Sequence, residues 1–242
     1  RKIEFDYSPN FIEKHFSQVK GYDLMPLMDN NAVRALENSN KVVLITDFLP
    51  KFLRDYSSFK GSSYLVADSY RVREFKEILP KNRILIGLSW RSSLATHSRN
   101  EHYLSIQELE PLFEIDDLIF VNCQYDECSE ELEWVQSRYP GKLINLEHLD
   151  QMDDLDGVAA MLKCLDLVIA PATTVAELSG SLGCPTWLFS NSSEIDWRKK
   201  DEKGTDVWHN SITIVDIKEK GNKKLLVEKI YKNLVQYVSS VK

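Results

Sequence analysis

The stretch LDLVIAPATTVAELSGSLGCPTW (165–187) joins an apolar run, a proline, two adjacent threonines and an amphipathic run. Its first part, LDLVIA (165–170), is mostly apolar, which is typical of a strand buried on both faces of a parallel sheet. The segment TTVAELSGSLG (173–183) has helical spacing, and Gly183 followed by Pro185 predicts the end of that helix. The stretch therefore predicts a buried strand, a tight turn and a helix.

The same alternation of short apolar runs and helical segments extends from residue 83 to the end of the chain. Strands are predicted at 83–89, 117–123, 142–146, 165–170, 185–189 and 211–215. Helices are predicted between them at 105–113, 128–139, 154–164 and 173–183, and a long one follows at 222–241. Strands that alternate with helices predict an α/β fold, a Rossmann-like doubly wound parallel sheet.

The first 80 residues are less regular. Short strands are predicted at 2–6, 22–27 and 41–46, and a helix at 8–19. This segment is too short for a second complete doubly wound domain, and Pro80 interrupts the pattern at its end. We therefore expect a partial N-terminal domain at 1–80 and a C-terminal domain at 81–242.

Charge and composition narrow the class of protein. The 242 residues include 30 basic and 37 acidic side chains, for a net charge of -7, and 43% of the residues are apolar. The basic residues are scattered, which argues against nucleic acid as a partner. No apolar run approaches the ~18 residues of a membrane span, and the N-terminal residues lack an apolar signal core. We expect a cytoplasmic protein and, because the first residue is Arg1 rather than Met, a fragment or a processed product.

The four cysteines lie within or beside apolar segments and form no C-x-x-C pair; they are Cys123, Cys128, Cys164 and Cys184. This placement favours buried thiols over metal ligands or disulfides. We expect neither a metal nor a cofactor. The motifs G-x-G-x-x-G, G-x-x-x-x-G-K-[ST], G-x-S-x-G and H-E-x-x-H are also missing, which argues against dehydrogenase, phosphate-loop, hydrolase and zincin chemistry.

Thr173 and Thr174 follow a predicted strand at the carboxyl edge of the sheet, where open α/β sheets bind ligands. The first turn of a helix has unpaired N–H groups and a partial positive charge, which favour a phosphate, and two hydroxyls would add donors. Two interpretations remain open at this point. Thr173 is either an ordinary N-cap residue or part of an anion site.

Polar residues also follow two other predicted strands. The loop 89–103 contains Arg91, His97, Arg99 and His102, which are suited to neutralise a diphosphate or belong to a solvated loop. Gln124 and Tyr125 leave another strand end, where they contact a nucleoside or form a simple turn. The segment 191–211, with Trp197 and Trp208, is a long loop, and such loops are usually functional or mobile.

These segments, in this order, resemble the glycosyltransferase domain that follows tetratricopeptide repeats in many bacterial proteins. That domain belongs to a GT-B family related to the ADP-heptose heptosyltransferases and, more distantly, to O-GlcNAc transferase. The matching pieces are SSYLVADSYRVREFKEIL (62–79), ILIGLSWRSS (84–93), LFEIDDLIFVNCQYDE (112–127), the block 152–187, DWRKK (196–200) and VWHNSITI (207–214). The resemblance covers roughly residues 40 to 240, and the block around the two threonines is its most specific part.

The resemblance implies a metal-independent glycosyltransferase with two Rossmann-like halves. It would transfer a hexosyl or heptosyl group from a nucleotide diphosphate sugar to a glycan or protein acceptor. The C-terminal half would hold the donor, and the N-terminal half, to which residues 1–80 would belong, would largely hold the acceptor. A further N-terminal segment or tetratricopeptide repeats would accompany the chain. By this resemblance the donor diphosphate would be bound by Thr173, Thr174, Ser89, Trp90, Arg91 and Arg99, and the nucleoside by Gln124, Tyr125 and Glu177.

Two positions depart from the family pattern. Many members have Asp where this chain has Ala172, and His where it has Glu177. The general base of the family is expected from the early part of the N-terminal domain, so no catalytic residue is assigned. A catalytically inactive nucleotide-binding or protein-interaction module of GT-B fold remains the alternative, and isomerase chemistry of the nucleotide-sugar epimerase type is a third option.

Overall fold

The structure is a computed structural model that describes residues 45–93 and 102–241, together with the isolated positions 34, 37 and 38. The chain divides into two compact units, 1–59 and 60–242. The described part of the first unit contains a 3-10 turn (Ile45–Phe48), helix α1 (Leu49–Phe52) and a second 3-10 turn (Tyr56–Ser58). The elements predicted at 2–6, 8–19 and 22–27 lie outside the described residues. Of the strand predicted at 41–46, the described residues Ile45 and Thr46 begin the first 3-10 turn instead.

The second unit is an α/β sandwich around one parallel sheet. Its strands are β1 (Ile84–Leu88), β2 (Leu118–Asn122), β3 (Leu143–Ile144), β4 (Leu167–Ala170), β5 (Thr186–Ser190) and β6 (Ile212–Asp216). Its α-helices are α2 (Ser69–Ile78), α3 (Glu110–Phe113), α4 (Ser129–Arg138), α5 (Leu155–Leu162), α6 (Thr174–Ser181) and α7 (Lys223–Val241). The strand order is β3-β2-β1-β4-β5-β6, and every pairing is parallel. The predicted doubly wound parallel sheet is confirmed.

The core lies on both faces of this sheet, as expected for mostly apolar strands. Ile86 and Phe120 belong to an apolar cluster that includes Ile230 of α7. Leu85 points the other way, into a second cluster that includes Met161 of α5. The long helix α7 buries one stripe of side chains spaced four residues apart, namely Leu226, Ile230, Leu234 and Val238. This stripe confirms the face predicted for the last helix.

The helix predicted at 105–113 is shorter in the structure, because α3 covers only Glu110–Phe113. Pro111 has no N–H to bond the carbonyl one turn earlier, so a continuous helix through it is disfavoured. The preceding residues form turns in which the Ser105 amide donates to Glu108 Oε2 at 2.7 Å and the Glu108 amide donates to Ser105 Oγ at 3.1 Å.

Helix α2 belongs to the same compact unit as the sheet. This unit begins at Lys60, whereas the sequence predicts a boundary at 80–81. The helix packs against α5. Arg71 of α2 donates to Asp154 Oδ1 at 2.7 Å, and Asp154 also caps α5 by accepting the Gly157 amide at 3.0 Å. The assignment of residues 1–80 to an acceptor-side domain stays a prediction.

All four cysteines lie in the described part of the chain and are free thiols. Three are buried and Cys164 is half-buried. Burial raises the pKa of Cys123 to about 12 and is the main cause that raises the pKa of Cys128 to about 11. Both thiols are therefore protonated at neutral pH, as buried apolar groups should be.

Strand β1 lies in the middle of the sheet and marks the point where the strand order reverses. From β1 the chain adds β2 and β3 on one side, then returns to the other side of β1 with β4, β5 and β6. The two connections at β1 and β4 leave the sheet in opposite directions. Open parallel sheets bind ligands at such a switch point, outside the carboxyl ends of the strands.

Candidate functional site

A cleft of about 570 Å³, called here the switch-point cleft, opens at this edge of the sheet. Residues at or just after the ends of four different strands line it. They include Ser92 after β1, Tyr125 after β2, Thr174 after β4 and Ser190 at the end of β5. The fold therefore brings together side chains that are far apart in sequence, at the edge where the sequence predicts a site.

Thr173 and Thr174 both line the switch-point cleft at the start of α6. Thr173 occupies the N-cap position with extended backbone (φ -129°, ψ 175°), but its side chain makes no capping hydrogen bond. Its hydroxyl lies 3.4 Å from the Pro171 carbonyl oxygen. Since an isolated helix start leaves its first amides without backbone partners, the first turn of α6 keeps donors that the Thr173 side chain does not satisfy.

Gln124 is buried and binds the loop after β1 with both ends of its amide. Its Oε1 accepts from Ser89 Oγ at 3.2 Å, from the Trp90 amide at 3.0 Å and from the Arg91 amide at 3.2 Å. Its Nε2 donates to the Arg91 carbonyl oxygen at 3.0 Å and to Asp126 Oδ1 at 2.7 Å. The amide is thus occupied by protein groups, and Ser89 is buried with it.

Trp90 and Arg91 also turn away from the switch-point cleft. Trp90 is fully buried in the apolar core, and its Nε1 donates to Glu131 Oε1 at 2.8 Å. Arg91 forms ion pairs with both Asp126 and Glu131. Burial lowers the pKa of Arg91, but the carboxylates of Glu131 and Asp126 outweigh burial and raise it. The single guanidinium is neutralised by two carboxylates, and Arg99 lies outside the described residues.

Tyr125 lines the switch-point cleft and connects two of its serines. Its hydroxyl donates to Ser92 Oγ at 3.1 Å and accepts the Ser93 amide at 3.3 Å. Both serines line the same cleft. Of the two neighbours predicted to contact a nucleoside, the structure therefore brings Tyr125 to the cleft and keeps Gln124 beneath the loop.

Glu177 of α6 also lines the switch-point cleft, and the β5–β6 loop (191–211) holds its carboxylate. Arg198 Nη1 donates to Glu177 Oε1 at 2.6 Å, and His209 Nε2 lies 3.2 Å from Glu177 Oε2. Burial raises the pKa of Glu177, but the hydrogen bonds from His209 and Arg198 outweigh it, so the pKa lies below its usual value. Glu177 is ionised at neutral pH.

The edge of the Arg198 guanidinium that faces away from Glu177 binds a fully buried carboxylate. Its Nε donates to Asp206 Oδ1 at 2.7 Å and its Nη2 donates to Asp206 Oδ2 at 3.0 Å. Asp206 also accepts the His209 backbone amide at 3.0 Å. One hydrogen-bonded network, buried at Asp206 and half-exposed at Glu177, therefore joins Glu177, Arg198, Asp206 and His209. No role is predicted from the sequence for the last three, because no periodic pattern marks them in the β5–β6 loop, where Asp206 and His209 follow Arg198 by 8 and 11 positions.

The imidazole of His209 is buried between α6 and an aromatic ring. The Tyr64 ring stacks on it with centroids 6.2 Å apart. A Cβ added at Gly180 of α6 would come within 2.6 Å of the imidazole Cγ, so the missing side chain permits this close packing. Among the described residues, Nδ1 of His209 has no hydrogen-bond partner.

The described lining of the switch-point cleft carries two carboxylates, Glu177 and Glu194, and neither lysine nor arginine. His102 lies beside Glu194, with Nε2 3.4 Å from Glu194 Oε2. Within the described part of the chain, an anion in this cleft would thus depend on hydroxyl groups, on His102 and on the amides at the start of α6. No group of three or more His, Cys, Asp or Glu side chains suited to a metal ion occurs among the described residues.

Comparison with known sequences gives one relative of note. No protein-family profile matches this chain. The protein FlbA of Caulobacter vibrioides is 30% identical over 152 residues, which are 62% of this chain and 26% of FlbA. The chain thus spans about a quarter of the length of that relative.

Three solved structures with similar folds are glycosyltransferases by name. Escherichia coli ADP-heptose LPS heptosyltransferase II has 12% identity over 72% of this chain and 54% of its own (TM-score 0.47). The family 9 glycosyl transferase of Veillonella parvula has 16% identity over 74% of this chain and 54% of its own (TM-score 0.49). E. coli heptosyltransferase WaaC with ADP has 13% identity over 87% of this chain and 63% of its own (TM-score 0.48). This chain therefore spans less than two thirds of each.

In the described part of the chain, no helix combines the length and the apolar character needed to cross a bilayer.

Proposed function

We propose that residues 60–242 form the donor-binding half of a GT-B glycosyltransferase, which holds a nucleotide diphosphate sugar in the switch-point cleft. One observation carries the proposal. The cleft opens at the reversal of strand order and contains the start of α6, where the Thr173 side chain does not cap the helix. The sequence resemblance of the block 152–187 to bacterial glycosyltransferase domains supports the same conclusion.

In this proposal the diphosphate lies against Thr173 and Thr174. The helix N-terminus favours negative charge, and the two hydroxyls add donors beside the first-turn amides. During transfer, negative charge develops on the departing diphosphate, and donors fixed beforehand by the fold stabilise it without a metal ion. Tyr125 and Glu177 lie on the nucleoside side. The acceptor is a glycan or a protein, presented by the N-terminal segment or by associated repeats, in the cytoplasm.

The other residues predicted to contact the donor have an indirect role in this proposal. Gln124 holds the loop after β1 by accepting hydrogen bonds from the Ser89 hydroxyl and from the Trp90 and Arg91 amides. Trp90 anchors the same loop in the core. These residues shape the wall that carries Ser92 and Ser93, and we propose that they act through that wall.

A second function, nucleotide or partner binding without sugar transfer, is favoured by a specific observation. The guanidinium of Arg91 is already paired with Asp126 and Glu131, and the described lining of the cleft contains no arginine or lysine. Ala172 also stands where many members of the resembling family have Asp. The described lining therefore offers no arginine or lysine side chain to stabilise the charge of a leaving diphosphate, whereas its hydroxyls and amides can still hold a ligand.

A thermal-shift screen of the chain against UDP, GDP, ADP and CMP tests the proposal. A ligand that binds only the native state raises the melting temperature, so at least one nucleotide should do so. Binding should persist in EDTA. The proposal fails if all four leave the melting temperature unchanged, and its metal independence fails if chelation abolishes binding and manganese restores it. Sugar transfer, measured with the matching nucleotide sugar, separates the enzyme from the binding module.

A further inference from the structure

The carboxylate of Glu177 is held differently from the other carboxylate described in the switch-point cleft. Glu177 receives hydrogen bonds on both oxygens, from Arg198 at 2.6 Å and from His209 at 3.2 Å, while its side chain stays 44% exposed. The Glu194 side chain is 77% exposed, with a contact to His102 at 3.4 Å. The fold therefore fixes the orientation of one carboxylate and leaves the other largely in solvent.

The Arg198 guanidinium has a fixed orientation toward Glu177, because its opposite edge is bound to another carboxylate. Nε and Nη2 form a two-point bond with Asp206, which is fully buried. The Val207 amide also donates to the Arg198 carbonyl oxygen at 2.8 Å. A planar guanidinium fixed along one edge presents its remaining N–H groups in a set direction, which a flexible ammonium would not.

The hydrogen bonds of His209 indicate which nitrogen carries the proton. Nδ1 is buried and has no partner among the described residues, whereas Nε2 faces the Glu177 carboxylate. A buried N–H without an acceptor costs more than a bare lone pair beside apolar groups, so the proton belongs on Nε2. His209 is then a donor to Glu177, and the close packing of its ring against Gly180 keeps that donor in place.

From these contacts we propose that Arg198 and His209 are positioning residues for the ligand of the switch-point cleft. They contact no ligand themselves, but fix the Glu177 carboxylate in one orientation at the surface of the cleft, so that each affects ligand affinity through Glu177. The inference rests on the proposed function, because it takes a nucleotide as the ligand. It adds three residues of the β5–β6 loop, with Asp206 as the anchor, to those that determine binding.

Two variants of His209 separate positioning from packing. His209→Phe keeps an aromatic ring between Gly180 and Tyr64 but removes the donor, whereas His209→Gln places an amide donor near the former Nε2. The probe is whichever of UDP, GDP, ADP and CMP binds the native chain most tightly. Loss of an oriented charged hydrogen bond should weaken binding by about tenfold in His209→Phe, and His209→Gln should recover most of it.

A double-mutant cycle with Glu177→Gln tests whether His209 acts through Glu177. If it does, His209→Phe should weaken binding much less in the Glu177→Gln background than in the native chain. Arg198→Lys keeps the charge but cannot bind Asp206 and Glu177 at the same time in the same geometry. It too should weaken binding much less in the Glu177→Gln background than in the native chain. Lys199→Ala is the matched control, because Lys199 pairs with Asp196 and Asp216 in the same part of the fold, and it should leave affinity unchanged.

Calorimetry on folded variants, checked by circular dichroism, gives the answer. Unchanged affinity in both His209→Phe and Arg198→Lys would overturn the positioning proposal while nucleotide binding by the native chain upholds the proposed function. Additive effects in the cycle would also overturn it, since they would show a route that bypasses Glu177. If His209→Phe does not fold, Arg198→Lys and its cycle decide alone. Failure of all four nucleotides to bind the native chain would overturn both proposals.

Discussion

Two sides of the switch-point cleft use polar residues in opposite ways. After β1 and β2, the polar groups bind one another, so that Gln124 holds the loop and Arg91 is paired with carboxylates. After β4, Thr173 and Thr174 line the cleft, and the Thr173 side chain makes no capping bond. The difference shows that a place at the carboxyl edge of a sheet brings polar residues together without leaving all of them free for a ligand.

The largest effect on stability should come from the buried anchor behind the cleft. Asp206→Ala leaves the Arg198 guanidinium buried without its two-point partner, and breaking a buried ion pair in this way costs about 3 to 5 kcal/mol. Asp196→Ala is the control in the same loop, since its side chain is 42% exposed and its pairs with Lys199 and Lys220 should contribute under about 1 kcal/mol. Urea unfolding measures both, and equal losses would contradict the buried anchor.

Substitutions that release the loop after β1 should mainly lower the free energy of unfolding. Gln124→Leu keeps the volume but leaves the buried amide of Trp90 and the partly buried amide of Arg91 without their acceptor, for a loss of about 2 to 4 kcal/mol in unfolding free energy. Gln151→Leu removes one bond to the Asn122 carbonyl oxygen and should cost about 1 kcal/mol. A Gln124→Leu variant as stable as the native chain, but unable to bind nucleotide, would return Gln124 to direct ligand contact.

An ion pair remote from the cleft provides a smaller, pH-dependent reference. Hydrogen bonds from Arg71 and then from the Gly157 amide lower the pKa of Asp154 to about 2. A depressed carboxyl pKa contributes stability above the unfolded value near about 4, and that contribution is lost as pH falls toward about 2. Both side chains are about a third exposed, so the cap and the pair together should contribute about 1 kcal/mol.

Asp154→Asn keeps an acceptor for the Gly157 amide and removes the charge, so its unfolding compared with that of the native chain between about pH 5 and about pH 2 measures the charge-dependent part of this contribution. The native chain should lose its advantage as the pH falls, and the two stabilities should converge at the acid end. A constant difference across the range would contradict the lowered pKa of Asp154.

The elements of the sheet were predictable because their signals are local. The apolar run LDLVIA (165–170) and the helical spacing of residues 173–183 are visible without knowledge of any partner. All six strands predicted from residue 83 onward are confirmed. The one shortened helix, α3, is explained by Pro111, a local signal outweighed in the prediction by the apolar spacing around it.

The site was predictable in its place but not in its contacts. The strand ends identify the edge of the sheet, yet the bond from the Trp90 amide to Gln124 joins residues 34 positions apart. That bond depends on how β1 pairs with β2, which no short window of sequence reveals. For the same reason His209, 32 positions from Glu177, was not singled out.

Nucleoside diphosphate affinity of the folded Thr173→Ala/Thr174→Ala variant, measured by calorimetry, tests the central claim most directly. Each hydrogen bond to a charged phosphate contributes roughly 1.5 to 3 kcal/mol, so affinity should fall by about tenfold or more, and the Thr173→Ser/Thr174→Ser variant should keep most of it. Affinity for the bare nucleoside should change little. Because the Thr173 side chain makes no capping bond, the Ala pair should lose under about 1 kcal/mol of stability. Unchanged diphosphate affinity in the folded Ala pair would contradict a phosphate site at the start of α6.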